Sequence, residues 1–146
     1  MRPASILALL FLILLSCAPA KSATLSVPYR LDEQGLVKIP CSTETGKTYA
    51  CEIDTGAAQT VGETYTAIVP IGSDRVDINT VSGSSSAAIV LTYLTISGKR
   101  FRISMVVSQG PRKLGFDVLI GQDVLSQFRS VQIDYANHVV IFETRN

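Results

Sequence analysis

The sequence reads as an all-β fold with one short helix, and three observations carry that reading. Thr, Val, Ile, Ser and Tyr are abundant beyond residue 20, and apolar and polar residues alternate with period two in several runs. Glycine punctuates those runs at turn spacing. Only Gln122 to Phe128 offers a helix, with Asp123 near its N-terminus, where a carboxylate suits the helix dipole.

The elements follow in order. Leu36 to Cys41 predicts a strand with Val37, Ile39 and Cys41 on one face. Tyr49 to Ile53 predicts a second, with Tyr49, Cys51 and Ile53 on one face, and Thr43 to Lys47 forms the turn between them. Both apolar faces must point the same way, so odd-numbered residues pair with odd-numbered ones. That register allows Cys41 opposite Tyr49 or opposite Cys51. Val76 to Val81 and Ala87 to Ile96 flank a small tip, Ser82-Gly83-Ser84-Ser85-Ser86. Ser97 to Arg100 then turns into Phe101 to Val107. Val131 to Tyr135 alternates, Ala136-Asn137 turns, and His138 to Phe142 returns, with Tyr135 and Phe142 expected in the core.

Residues 1–20 read as an export signal. Arg2 precedes an apolar run, Ile6 to Leu15, that is too short to span a bilayer. Leu14-Leu15-Ser16-Cys17 fits a bacterial lipobox with Cys17 lipidated, and Ala18-Pro19-Ala20 fits ordinary cleavage before Lys21. The lipobox explains why a cysteine stands there. Ala18 after that cysteine, in place of Asp, points to the outer membrane facing the periplasm. Residues 21–35 are expected to be a linker or an interface strand, and residues 36–146 one domain.

Without Arg2, 12 basic residues balance 12 acidic ones, so nothing supports nucleic-acid binding. Beyond Cys17, Cys41 and Cys51 share a face in an oxidising setting, either as a disulfide or as two buried thiols. With His138 the single histidine, no zinc-ligand spacing arises, and a Ser-His-Asp mechanism is disfavoured.

Two motifs carry the chemistry. Ile53-Asp54-Thr55-Gly56-Ala57 places a carboxylate on a glycine turn after an apolar strand. Val118-Leu119-Ile120-Gly121, about 65 residues later, is an apolar strand ending in glycine before the helix. Asp-Thr-Gly alone is weak, arising by chance at about one position in several thousand. The flanking strands, Thr60-Val61 and the later Gly strand make it specific.

At these residues the chain resembles the retropepsins, the retroviral-type aspartic proteases, and their single-domain bacterial relatives, over Leu36 to Phe142. The resemblance implies a closed β-barrel lobe that homodimerises, each copy giving one carboxylate, with no metal or cofactor. It makes Asp54 catalytic, Thr55 the hydroxyl that grips the partner turn, and Gly56 the close-approach residue. Val81 to Ser86 around Gly83 become the flap over a peptide. Ala57, Ala58, Val61, Val81, Gly83 and Ile120 become substrate-binding residues. By analogy with the family's terminal sheet, His138 to Glu143 becomes the candidate interface strand. The expected activity is endopeptidase cleavage of extended polypeptide.

Ala58 and Gln122 depart from the pattern, which has an Asp and an Arg that form an ion pair. Both are lost together, so no lone buried charge remains. Ala57 cannot donate a hydrogen bond to an ionised carboxylate, which implies an optimum of about pH 5–6 rather than a strongly acidic one. The alternatives are a peptide-binding module that keeps the fold without catalysis, and a structural lipoprotein.

Overall fold

The computed structural model describes residues 23–70, 72–80, 83–109 and 115–145. Cys17 and Val81 lie outside them. The described strands are β1 (Thr24–Pro28), β2 (Arg30–Leu31), β3 (Val37–Thr43), β4 (Thr48–Ile53), β5 (Val61–Glu63) and β6 (Arg75–Thr80). They continue with β7 (Gly83–Ile96), β8 (Lys99–Ser108), β9 (Val118–Ile120), β10 (Phe128–Asp134) and β11 (Val139–Thr144). The helix α1 (Gln122–Leu125) precedes β10.

Alternation sets the first hairpin. Val37, Ile39, Cys41 and Thr43 are buried on one face of β3. In the antiparallel β3–β4 pair Cys41 faces Tyr49 and Ile39 faces Cys51, one of the two registers the sequence allows. The sulfurs are therefore diagonal neighbours on the inner face, and Cys41 and Cys51 form a disulfide with Cα atoms 5.9 Å apart. Tyr49, Cys51 and Ile53 point inward from β4, as their spacing requires.

Six strands, in the order β3, β4, β9, β5, β8 and β7, close into a barrel because β7 pairs back onto β3. β2 extends it beside β3, and β6 extends it beside β7. Closure removes most hydrogen-bonding edges. Inward residues Ile39, Leu94, Ile96, Met105, Val118 and Ile120 are at most 1% exposed and form the core.

A second sheet, in the order β1–β11–β10, packs beside the barrel. Its anchor is aromatic: Phe128 lies 5.0 Å from Phe101 of β8 and 4.7 Å from Phe142 of β11. Such contacts contribute about 1 kcal/mol each beyond burial.

The structure refines the sequence reading in five places. The helix stops at Leu125 and Phe128 begins β10, because its buried ring joins the aromatic anchor. Gly83 to Ser86 are not a tip but the start of β7, laddered onto β6 from Gly83↔Thr80 to Ser86↔Asp77. Tyr135 is 65% exposed at the β10–β11 turn, where it meets Tyr29 edge-on at 6.3 Å; Phe142 is fully buried as expected. His138 belongs to that turn with φ 54° and gives its carbonyl to the Tyr29 N–H. In the 21–35 segment, β1 and β2 are strands of the fold itself. Among the described residues no helix is long and apolar enough to cross a membrane.

Candidate active site

β4 runs out at Ile53, and the chain turns at Asp54, Thr55 and Gly56. The Asp54 N–H donates to the Ile120 carbonyl at 3.1 Å, extending the parallel β4–β9 ladder by one residue. The Asp54 carboxylate then accepts the Gly56 N–H at 2.7 Å. A Cβ at position 56 would stand 3.2 Å from that carboxylate oxygen, so glycine keeps the carboxylate uncrowded. Asp54 is half-buried, while Thr55 and Gly56 are exposed.

β9 runs between the strand entering this turn and the strand leaving it. It is parallel to β4, with Ile53 opposite Ile120, and antiparallel to β5, with Leu119 opposite Val61. Gly121 then passes hard under the loop. A Cβ there would lie 2.6 Å from the Gln59 carbonyl carbon and oxygen and 3.0 Å from the Ala57 oxygen. Those are backbone atoms that cannot swing aside, so only glycine fits.

Helix α1 is tied to the same loop. The Gln122 N–H donates to the Ala57 carbonyl at 2.8 Å, and the Asp123 N–H to the Ala58 carbonyl at 3.2 Å. The Gln122 side-chain amide donates to the Thr55 carbonyl at 2.7 Å. The fully buried Thr60 hydroxyl accepts from the Gly121 N–H at 3.2 Å and donates to the Asp123 carboxylate at 2.7 Å. Every residue from Asp54 to Ala58 except Gly56 is thus tied, directly or by its carbonyl, to β9 or α1.

The structure therefore brings together Asp54, Thr55, Gly56, Ala57, Ala58 and the end of β9. Ala57 and Val61 are half-buried and Ala58 is exposed. Ile120 is fully buried, so in the single chain it supplies its carbonyl to the turn rather than a surface. Gly83 opens β7 opposite Thr80, at the far end of the long β6–β7 hairpin. Thr60, Gln122 and Asp123 stand in the sequence only as motif context, as a departure from the family pattern and as a helix start; that they tie the loop to β9 and α1 is visible only in the structure. Their signal is faint: polar residues immediately beside the Gly-ended strand and before Val61.

Glu52, two residues before Asp54, is 7% exposed, and its Oε2 has no hydrogen-bond partner. Burial pushes its carboxyl above the usual range. The positive Lys38, opposite it on β3, opposes this, and the negative Asp32 and Asp54 add to it. Lys38 itself is bonded to Asp32 at 2.8 Å and to the Gly115 carbonyl. Among the described residues no group of three His, Cys, Asp or Glu side chains could hold a metal. Two hollows, of about 510 and 610 Å3, lie away from Asp54, one against Tyr29, Ile39 and Pro40 and the other against Ala67, Arg75 and Val107.

The barrel, the Asp-Thr-Gly turn and the Gly-ended strand beneath it define a retropepsin-like fold. A crystal structure of a retropepsin-like aspartic protease from Rickettsia conorii superimposes with a TM-score of 0.63 at 20% identity, covering 85% of this chain and 92% of that one. No protein-family profile matches the sequence. No curated protein matches it either.

Proposed function

We propose that this protein is an aspartic endopeptidase whose active site is built from two copies, each contributing Asp54. The supporting observation is the Asp54 turn: a carboxylate on a glycine corner, stitched to Ile120 and held by the Gly56 N–H. Such rigidity is what a preorganised catalytic carboxylate needs.

Two carboxylates facing each other across a two-fold axis cannot both ionise, so they share one proton. The ionised member takes a proton from a bound water, which attacks the peptide carbonyl carbon. The protonated member gives its proton to the carbonyl oxygen. The resulting diol collapses with proton transfer to the leaving nitrogen, and the dyad returns to its starting state. The substrate is an extended polypeptide lying across Ala57, Ala58 and Val61, beneath the β6–β7 hairpin.

The test is hydrolysis of a mixed peptide library by the purified protein and by Asp54→Asn. The amide is nearly isosteric but cannot act as base, so cleavage is lost while the fold persists. Specific activity of the native protein falls on dilution as copies separate. Equal cleavage by Asp54→Asn overturns the assignment and favours the binding-module reading, in which peptide is held without hydrolysis.

The cellular address follows the Cys17 lipobox: a lipoprotein of the outer membrane facing the periplasm. Cys17→Ser is expected to leave the membrane fraction or to accumulate unprocessed. A mature form that starts at Lys21 without lipid overturns this address.

A further inference from the structure

None of the residues that the resemblance assigns to substrate carries a charge, yet the structure sets a carboxylate in line with them. Glu52 lies two residues before Asp54, on β4, and Asp54 continues that strand's ladder by one residue. Residues two apart on a strand point to the same side, about 7 Å from each other, so both carboxylates face the same way. Sheet register carries that face sideways. Leu119 of β9 lies opposite Glu52, and Val61 of β5 lies opposite Leu119. Val61 is one of the residues over which the proposed substrate runs, so Glu52 belongs to the same row. We infer that Glu52 sets substrate preference by receiving the charged head of a lysine or arginine next to the cut bond.

The Glu52 carboxylate is unsatisfied within the chain. The residue is 7% exposed, and its Oε2 has no hydrogen-bond partner. A buried acceptor left without a donor costs free energy, and a ligand that brings the donor relieves that cost. Lysine and arginine bring donors together with the charge that suits a carboxylate best.

The cation already nearby is committed elsewhere. Lys38 lies opposite Glu52 on β3. Its ammonium pairs with Asp32 at 2.8 Å and bonds the Gly115 carbonyl. Asp32, Glu52 and Asp54 stand against this single ammonium, so the neighbourhood is acidic and draws a further cation.

The rest of the row suits the stem of such a side chain. Leu119 and Val61 are apolar and half-buried. They flank the methylenes of a lysine or arginine while its head reaches the deeper carboxylate. A peptide whose reacting carbonyl lies at Asp54 brings the side chain of a flanking residue within reach of a group about 7 Å away. In a site built from two copies each copy brings one Glu52, so a basic residue is read on either side of the bond.

The inference rests on the protease reading of Asp54, and its test separates recognition from cleavage. Extended peptides that differ only in carrying lysine, arginine, norleucine or glutamine at each successive position are given to the purified protein and to Glu52→Gln, which keeps the size of the buried side chain. The native protein is expected to prefer lysine or arginine beside the cut bond. In Glu52→Gln the ratio of kcat/KM for lysine over norleucine falls about ten- to a hundredfold, the worth of one hydrogen bond between charged groups. Glu52→Asp, shorter by a methylene, keeps a weakened preference. A native protein indifferent to basic residues overturns the inference, and so does a lysine preference that Glu52→Gln retains. Where no peptide is cleaved, fluorescence anisotropy reads binding of the lysine and norleucine peptides to Asp54→Asn with and without Glu52→Gln. A Glu52-dependent lysine preference in binding, without Asp54-dependent cleavage, leaves the recognition standing and removes the protease reading. Equal affinities there overturn both.

Discussion

The Gln122 side-chain amide reaches across to the Thr55 carbonyl at 2.7 Å, so helix α1 grips the Thr55–Gly56 peptide bond of the Asp54 turn. The retroviral pattern has an arginine here, paired with an aspartate where this chain has Ala58. A neutral amide does the holding without needing a counter-charge, which explains how both charges can be absent together. Gln122→Ala is expected to lower kcat about fivefold, the equivalent of one lost hydrogen bond of about 1 kcal/mol. KM and melting temperature should change little, because Gln122 is exposed and the main-chain ties remain. Gln122→Glu faces a carbonyl with a carboxylate and should be worse. Peptide kinetics beside thermal melts measure the split; equal loss of stability and rate would make the residue merely structural.

Glu52 gives a pH prediction with a defined sign. Its folded-state pKa is raised, by burial first, so the fold favours the protonated form. Its contribution to stability is full below the unfolded value near about pH 4.3 and is lost as pH rises through the higher folded value. At pH 7 the buried charge is therefore a cost. Glu52→Gln should raise the melting temperature there by about 3–5 °C, taking about 1 kcal/mol for one imperfectly satisfied buried group. The gain should shrink toward about pH 4. Lys38 keeps Asp32 as partner, so removing the Glu52 charge strands no cation. A lower melting temperature for the variant at neutral pH would count against this account.

The Cys41–Cys51 disulfide ties the hairpin that delivers Asp54. Closing a loop with a sequence separation of 10 stabilises by about 2–3 kcal/mol through the unfolded chain. The double variant Cys41→Ala with Cys51→Ala should melt about 8–12 °C lower. Both sulfurs are buried, so part of that fall comes from lost packing. Calorimetry of the variant and of the reduced native protein separates the two contributions.

Ala57 lends only its carbonyl to Gln122 and has no hydroxyl to offer a carboxylate. In the proposed enzyme, Ala57→Ser adds such a donor within the catalytic turn. The acidic limb of the rate profile should move to lower pH, while the alkaline limb stays in place or follows it. An unchanged acidic limb would show that the new hydroxyl does not reach the carboxylate.

Much of the site was legible in the sequence because its demands are local. A carboxylate on a tight corner needs glycine beside it, and the strands around it need alternation; both leave marks in neighbouring residues. The Asp54-Gly56 corner and the in-phase pairing of β3 with β4 fall in that class, and so does the face shared by Cys41 and Cys51; which of the two allowed registers forms does not. What the alternation could not show was how far the Ser-rich run would continue as strand. A serine can extend a ladder as readily as it can sit in a loop, and pairing with Asp77 and Ile78 decided for the ladder.

The sequence by itself therefore determined the all-β class, the carboxylate on its glycine corner and the face that Cys41 and Cys51 share. Each follows from residues adjacent in the chain or two apart. Only the tertiary structure decided that Gly121 lies under Gln59, that Gln122 reaches Thr55, that Glu52 is buried and that both edges of β11 are filled. Those relationships join residues that can be 60 or more positions apart, as Thr60 and Asp123 are. Such contacts arise from barrel closure, whose strand order no local pattern of side chains specifies.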